Sequence, residues 1–246
     1  MIALLAAMRE ELIGVQKRMD VEETLVQHGW RLFRGEYEKK EILLVQTGVG
    51  REKAEAAAHF VLERYLISTL ISFGFAGALS PILRVGEVVL CLKLHCKSNP
   101  NAGSLDASAH SLLPLATQAA QETALCLHMG DNVTVDELVT QPEEKQALGQ
   151  TFRALTVDME SYWVARAVSA RQIPFLAVRA ISDTLTQSLP NFDRFSNLSG
   201  IRLWKEASLH FLARPGELAK VPGVYRNALQ ARKSLTCFLD AFVSRL

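Results

Sequence analysis

The sequence predicts an α/β fold: a single domain on a central mixed, mainly parallel twisted sheet flanked by helices, with a helical C-terminal extension. Three observations carry this. Short apolar runs alternate with helical patterns over the first 185 residues. Those runs are continuous rather than alternating, as strands covered on both faces are. No strand-like run follows Pro190. The order is that of an α/β chain, and the expected division is one domain over residues 1–246, with a core at 1–185 and the extension at 190–246.

The expected strands are IALLAA (2–7), ILLVQT (42–47), TLISFGF (69–75), EVVLCLKL (87–94) and FLAVRAIS (175–182). Between them, residues 52–65, 111–125 and 159–171 read as helices, the first rich in Ala and Glu. Residues 97–109 contain few apolar side chains and read as a surface loop. Beyond residue 200 the chain turns helical and basic, with Lys or Arg at 202, 205, 214, 220, 226, 232, 233 and 245 against acids at 206, 217 and 240. Leu235, Phe238, Leu239, Phe242, Val243 and Leu246 fall at helical spacing and make one apolar stripe. That stripe serves either a helix docked on the sheet or a surface that meets a membrane; both stay open.

Composition excludes some functions. Lys and Arg (27) balance Asp and Glu (26), so the basic face that nucleic acid requires is not indicated. The apolar start meets Arg9 after eight residues, too short for a signal core, and no apolar run approaches the roughly 20 residues that span a bilayer. A cytoplasmic location is expected. Cys91, Cys96, Cys126 and Cys237 show no CxxC pairing, consistent with reduced thiols. Regular strand alternation puts Cys91 and His95 on one face and Cys96 on the other, so no metal site is expected.

In parallel sheets ligands gather at the carboxyl ends of strands, and three places there carry polar residues. Glu11 follows the first strand. Glycine turns follow two others, at residues 47–50 and 74–77; TGVGREK lacks the third glycine of a dinucleotide fingerprint. The third place is residues 157–184, where Arg179 interrupts an apolar run. A buried guanidinium needs acids or an anionic ligand, and Glu160 is the expected partner. For Arg179 taken alone, an ion pair that only stabilises the sheet is the better explanation, but Ser182 and Asp183 end the same strand and deliver an acid to the same crevice.

Together these residues resemble the nucleoside phosphorylase superfamily, in particular its methylthioadenosine/S-adenosylhomocysteine nucleosidase branch. The resemblance rests on Ala7-Met8-Arg9-Glu10-Glu11, on GFAGALSPILRVGEVVL, on Met159-Glu160, and on Arg179-Ala180-Ile181-Ser182-Asp183, in that order over residues 1–185. It implies cleavage of a purine nucleoside at its C1′–N9 bond, which builds positive charge on the sugar and negative charge on the base. It also implies roles. Asp183 is the acid at N7 of the base; Glu160 binds the ribose hydroxyls with Met159 against the sugar; Glu11 and Arg179 hold the nucleophile, water or phosphate. No other cofactor is implied. The remaining contacts fall on Ala7, Val49, Phe75, Ala76, Gly77, Leu138, Val139 and Ser182, with the backbone at 138–139 at the adenine edge.

Two positions depart from the nucleosidase pattern: Phe75 replaces a usual serine, and Thr186 replaces a further Asp. The tail, SLPNFDRFSN followed by LHFLARPGELAKVPGVYRNALQARKSL, resembles hopanoid-associated phosphorylases, which implies adenosylhopane, a lipid-linked nucleoside, as substrate. Methylthioadenosine or another small 5′-modified adenosine is the alternative, as is a nucleoside-binding protein without turnover. The family is commonly dimeric, and Tyr162 or Trp163 suits either an interface or the core.

Overall fold

The computed structural model describes residues 1–190 and 221–246. Its first half runs β1 (Ile2–Ala6), α1 (Arg9–Gln16), β2 (Asp20–Gln27), β3 (Trp30–Tyr37), β4 (Lys40–Gln46), α2 (Arg51–Arg64), β5 (Thr69–Ala78), β6 (Val88–Cys96) and β7 (Leu105–Asp106). The second half runs α3 (Leu113–Glu122), β8 (Leu127–Thr134), α4 (Pro142–Phe152), β9 (Thr156–Asp158), α5 (Ser161–Ser169), β10 (Phe175–Asp183) and α6 (Val221–Val243). The five apolar runs are β1, β4, β5, β6 and β10, and the three helical patterns are α2, α3 and α5.

One mixed sheet holds all ten strands, in the order β10-β6-β8-β9-β5-β1-β4-β3-β2, with β7 on β6. The strands β4, β1, β5 and β10 pair in parallel. Because β10 pairs with β6 as well as β5, the strands β5, β9, β8, β6 and β10 form a closed ring. Much of the antiparallel pairing comes from strands whose sequences conceal them. β2 is an edge strand, exposed along nearly its whole length and carrying Asp20, Glu22 and Glu23, charges that discourage pairing with another chain. β9 is only three residues long.

The sheet is covered on both faces, which is why its central strands are apolar without alternation. Ile2, Leu4 and Ala6 of β1 point into the layer formed with α1, α3 and α6. Ala3 and Leu5 point into the layer formed with α2 and α5. Tyr162 and Trp163 are buried in that second layer, so within this chain both are core residues. Arg51 and Arg166 stack on the Trp163 ring, 4.2 and 4.8 Å from its centroid.

The C-terminal stripe is a docking face. Leu235, Phe238, Leu239, Phe242 and Val243 are fully buried in the first layer and Leu246 packs at its margin, so those side chains offer no apolar surface to a membrane. Among the described residues no helix is long and apolar enough to cross one. The tail segments compared above extend into residues 191–220, which lie outside the described residues.

Two sequence expectations need correction. Residues 97–109 are a loop only in part: Leu105–Asp106 pair with β6, Ala107 is fully buried, and its N–H bonds to Leu92 O at 2.9 Å. Cys91, Leu94 and Cys96 share one core layer, because a register irregularity between Cys91 and Leu94 breaks strand alternation. His95 instead meets Asp131 at 3.0 Å.

Truncating Phe238, which stacks on Phe242 with ring centroids 5.5 Å apart, removes a large side chain from the centre of the α6 contact. Phe238→Ala is expected to destabilise the fold by about 3–5 kcal/mol, measured as a shift in the urea unfolding midpoint.

Candidate active site

The carboxyl ends of β1 and β5 and the interior of β10 converge on a cavity of about 260 Å³ lined by Ala7, Glu11, Thr47, Ser72, Gly74, Phe75, Glu160 and Arg179, among others. Glu11 enters it from the first turn of α1. Its carboxylate accepts from Met8 N–H and Phe75 N–H, both at 2.8 Å, so one side chain caps α1 and ties it to β5. Gly74 permits this approach, because a Cβ there would stand 2.7 Å from Glu11 Oε1. Burial pushes the Glu11 carboxyl up; those two N–H groups and the Arg179 charge offset only part of the effect.

Glu160 stands at the N-terminus of α5, where its carbonyl accepts the N–H of Val164 at 3.1 Å. Its carboxyl Oε1 accepts from Gly50 N–H at 2.7 Å, and Gly50 has a φ of 95°, a backbone conformation that favours glycine. Burial first, then the nearby Asp158 and Glu11 carboxyls, pushes Glu160 up to about 8.

Arg179 does not pair with Glu160. Its Nε donates to Asp158 Oδ2 at 2.8 Å. One terminal nitrogen donates to Ser72 O and Val178 O at 3.0 and 2.8 Å. The other donates to Ser72 Oγ at 2.8 Å and to Ser161 Oγ. All five guanidinium N–H groups are therefore taken by protein. Asp158 is held in turn by Asn132, Thr134 and Ser161. Burial pushes the Asp158 carboxyl up, but Arg179 and these donors outweigh it and hold it below the usual carboxylate range. Both residues are almost fully buried, so the expected acidic partner exists but is Asp158, two residues before Glu160.

A second cavity, of about 250 Å³, is lined by Gly77, Val135, Leu138, Val139, Val157, Asp158, Met159, Asp183 and Leu189. Residues 158–160 form the partition: Asp158 and Met159 face this side, Glu160 the other. Asp183 ends β10 opposite Gly77. Ser182 Oγ lies 2.8 Å from Asp183 Oδ1 and 3.3 Å from Ala76 O. Lys145 of α4, fully buried, donates to Asp183 Oδ2 and to Thr184 O and Gln187 O, the latter two at 2.9 Å.

The first cavity thus brings together Ala7, Glu11, Phe75, Glu160 and Arg179, and the second Gly77, Leu138, Val139, Met159 and Asp183. Ala76 and Ser182 meet each other beside them. Val49 lines neither and is 43% exposed. Sequence reasoning missed Asp158, Ser72, Ser161 and Lys145. Asp158 was visible as an acid beside Met159-Glu160; Lys145 sits in PEEKQAL, which reads as a solvated helical turn. Among the described residues Glu87, Cys126 and His128 place donor atoms within 4.8 Å of one another, outside both cavity linings.

Two adjoining cavities lined by carboxyls at the strand ends, on this fold, belong to an enzyme that cleaves N-glycosyl bonds. The chain belongs to the phosphorylase superfamily, whose sequence profile matches residues 1–203. It is 28% identical over 209 residues to the 5′-methylthioadenosine/S-adenosylhomocysteine nucleosidase of Tolumonas auensis, covering 79% of this chain and 91% of that protein. It is 26% identical, also over 209 residues, to the Bacillus thuringiensis protein of the same name, covering 79% and 90%. Two solved structures share the fold. The Neisseria meningitidis nucleosidase in complex with methylthio-immucillin-A has a TM-score of 0.79 at 19% identity, with 100% of this chain and 99% of that one covered. Futalosine hydrolase of Helicobacter pylori has a TM-score of 0.75 at 23% identity, covering 100% and 97%.

Two outcomes follow from the buried charges. Asp158→Asn leaves the Arg179 guanidinium buried without its counter-ion and is expected to cost about 3–5 kcal/mol in urea unfolding. Glu160, raised from 4.5 to about 8, contributes stability that is fully present below its ordinary value and is lost as pH rises through about 8. The wild-type urea midpoint should therefore fall between pH 5 and pH 8.5. Glu160→Gln, neutral throughout, should show a smaller fall, the remainder coming from Glu11, which shifts in the same direction.

Proposed function

We propose that this chain releases adenine from a 5′-substituted adenosine, with water as the nucleophile. The observation that carries the reading is the partition at residues 158–160, with Glu11 and Glu160 lining the cavity on one side and Asp183 the cavity on the other. The base lies between Gly77, Leu138, Val139 and Met159, and Asp183 gives its proton to N7 as the C1′–N9 bonding pair moves onto the base. Glu160 holds the ribose hydroxyls. Glu11 orients the water that attacks C1′ from the opposite face and accepts its proton. The nucleosidase and hydrolase names of the similar proteins support hydrolysis.

The saturated guanidinium supports it too. Arg179 has no N–H to spare for a phosphate oxygen, and the other candidate cations are exposed, Arg9 on the first turn of α1 and Arg51 over the Trp163 ring. The role left to Arg179 is electrostatic: it holds Asp158 as a carboxylate and fixes the partition. For the 5′ substituent the reading is a large apolar group, as in adenosylhopane, supported by Phe73 and Phe75 in the lining of the first cavity. Methylthioadenosine is the second reading, supported by the nucleosidase relatives.

Incubating the chain with adenosylhopane and with methylthioadenosine, each with and without phosphate, tests all of this in one chromatographic assay. Free adenine and a free sugar are expected in both buffers; a sugar 1-phosphate would overturn the choice of water. Asp183→Asn should lower kcat by about 10²–10⁴-fold, and wild-type turnover in that variant would overturn the acid assignment.

A further inference from the structure

Lys145 is a fully buried lysine behind Asp183, outside the lining of the base cavity. Holding an ammonium away from water is costly unless its N–H groups are all bonded, and here all three are. Two go to the carbonyls of Thr184 and Gln187, fixing the turn that Gln187 N–H closes on Thr184 O at 3.1 Å. The same turn leads to Leu189, whose N–H bonds to Thr140 O at 2.9 Å and whose side chain lines the cavity. The third N–H goes to Asp183 Oδ2.

The other oxygen of Asp183 has a looser partner. Ser182 carries one hydroxyl proton and has two acceptors in reach, Asp183 Oδ1 at 2.8 Å and Ala76 O at 3.3 Å. Rotation of that hydroxyl frees Oδ1 for the purine. When Asp183 passes its proton to N7, a full negative charge develops on its carboxyl, against the ammonium held at Oδ2. A fixed cation aimed at that charge stabilises the transition state more than the ground state.

We propose that Lys145 is a positioning residue for base departure, given Asp183 as the acid. Its ammonium holds Oδ2 and meets the charge that Asp183 acquires on passing its proton to N7, while the Ser182 hydroxyl turns from Ala76 O to Oδ1. The C1′–N9 bond breaks, its electron pair goes to the base, the Asp183 proton goes to N7, and solvent resupplies that proton between turnovers. The other charged group lining the cavity beside Asp183 is Asp158, already neutralised by Arg179.

The test compares a leaving group that needs a proton with one that does not. Lys145→Met keeps the length of the side chain without its charge; Lys145→Gln, which retains an N–H donor, serves if the Met variant does not fold. Each is assayed with methylthioadenosine and with 4-nitrophenyl β-D-ribofuranoside, whose phenolate departs unprotonated. On the nucleoside, kcat is expected to fall by about 10²-fold with KM within about threefold of wild type; on the nitrophenyl riboside, turnover should stay within about threefold of wild type. Equal losses on both substrates, or undiminished kcat on the nucleoside, would overturn the role of Lys145 while leaving Asp183 as the acid. A wild-type chain that turns over neither substrate would overturn the functional reading itself.

Discussion

The buried Arg179–Asp158 pair is the constraint on which the rest of this structure depends. A guanidinium placed in an apolar strand must spend every N–H, and its partners here come from four elements: Ser72 of β5, Asp158 of β9, Ser161 of α5 and the backbone of β10 itself. Satisfying one cation thus fixes where the short strand β9 ends and where α5 begins. Since Glu160 is the residue at that junction, its position follows from the need to neutralise Arg179 two residues earlier.

The pair also sets the electrostatics of the first cavity. Asp158 and Glu11, both buried, and Glu160, half-buried, surround one buried cation, and Asp158 takes the guanidinium directly. Glu11 and Glu160 are left with backbone N–H donors, and both rise above the ordinary carboxyl range. A carboxyl raised in this way is suited to exchanging protons and hydrogen bonds with hydroxyls and water. The second cavity is arranged differently: its acid faces a buried ammonium across one oxygen and a rotatable hydroxyl across the other. The partition at residues 158–160 keeps these two environments apart.

Much of this was legible in the sequence. The five central strands announced themselves because two-sided burial demands unbroken apolar runs, and the glycine turns and strand-end acids marked the sheet edge where the two cavities open. The hairpin β2–β3 and the strands β8 and β9 were not legible. β2 is exposed almost throughout, β8 mixes polar and apolar residues, and β9 is too short for any period. The partner of Arg179 was misassigned for a related reason: Asp158 and Glu160 stand two apart, and only the turn from β9 into α5 decides which faces the guanidinium. The C-terminal stripe was legible as an apolar face, but nothing in its spacing says whether sheet or membrane covers it.

The sequence by itself determined the class of fold, the strand ends at which the cavities form, and the set of acids available there, because periodicity and burial cost act locally along the chain. Only the tertiary structure decided which acid meets which cation. Lys145 and Asp183 are 38 residues apart and Arg179 and Ser72 are 107 apart, and whether a charge is solvated, paired or isolated depends on what the fold brings within about 3 Å of it, which no local pattern encodes.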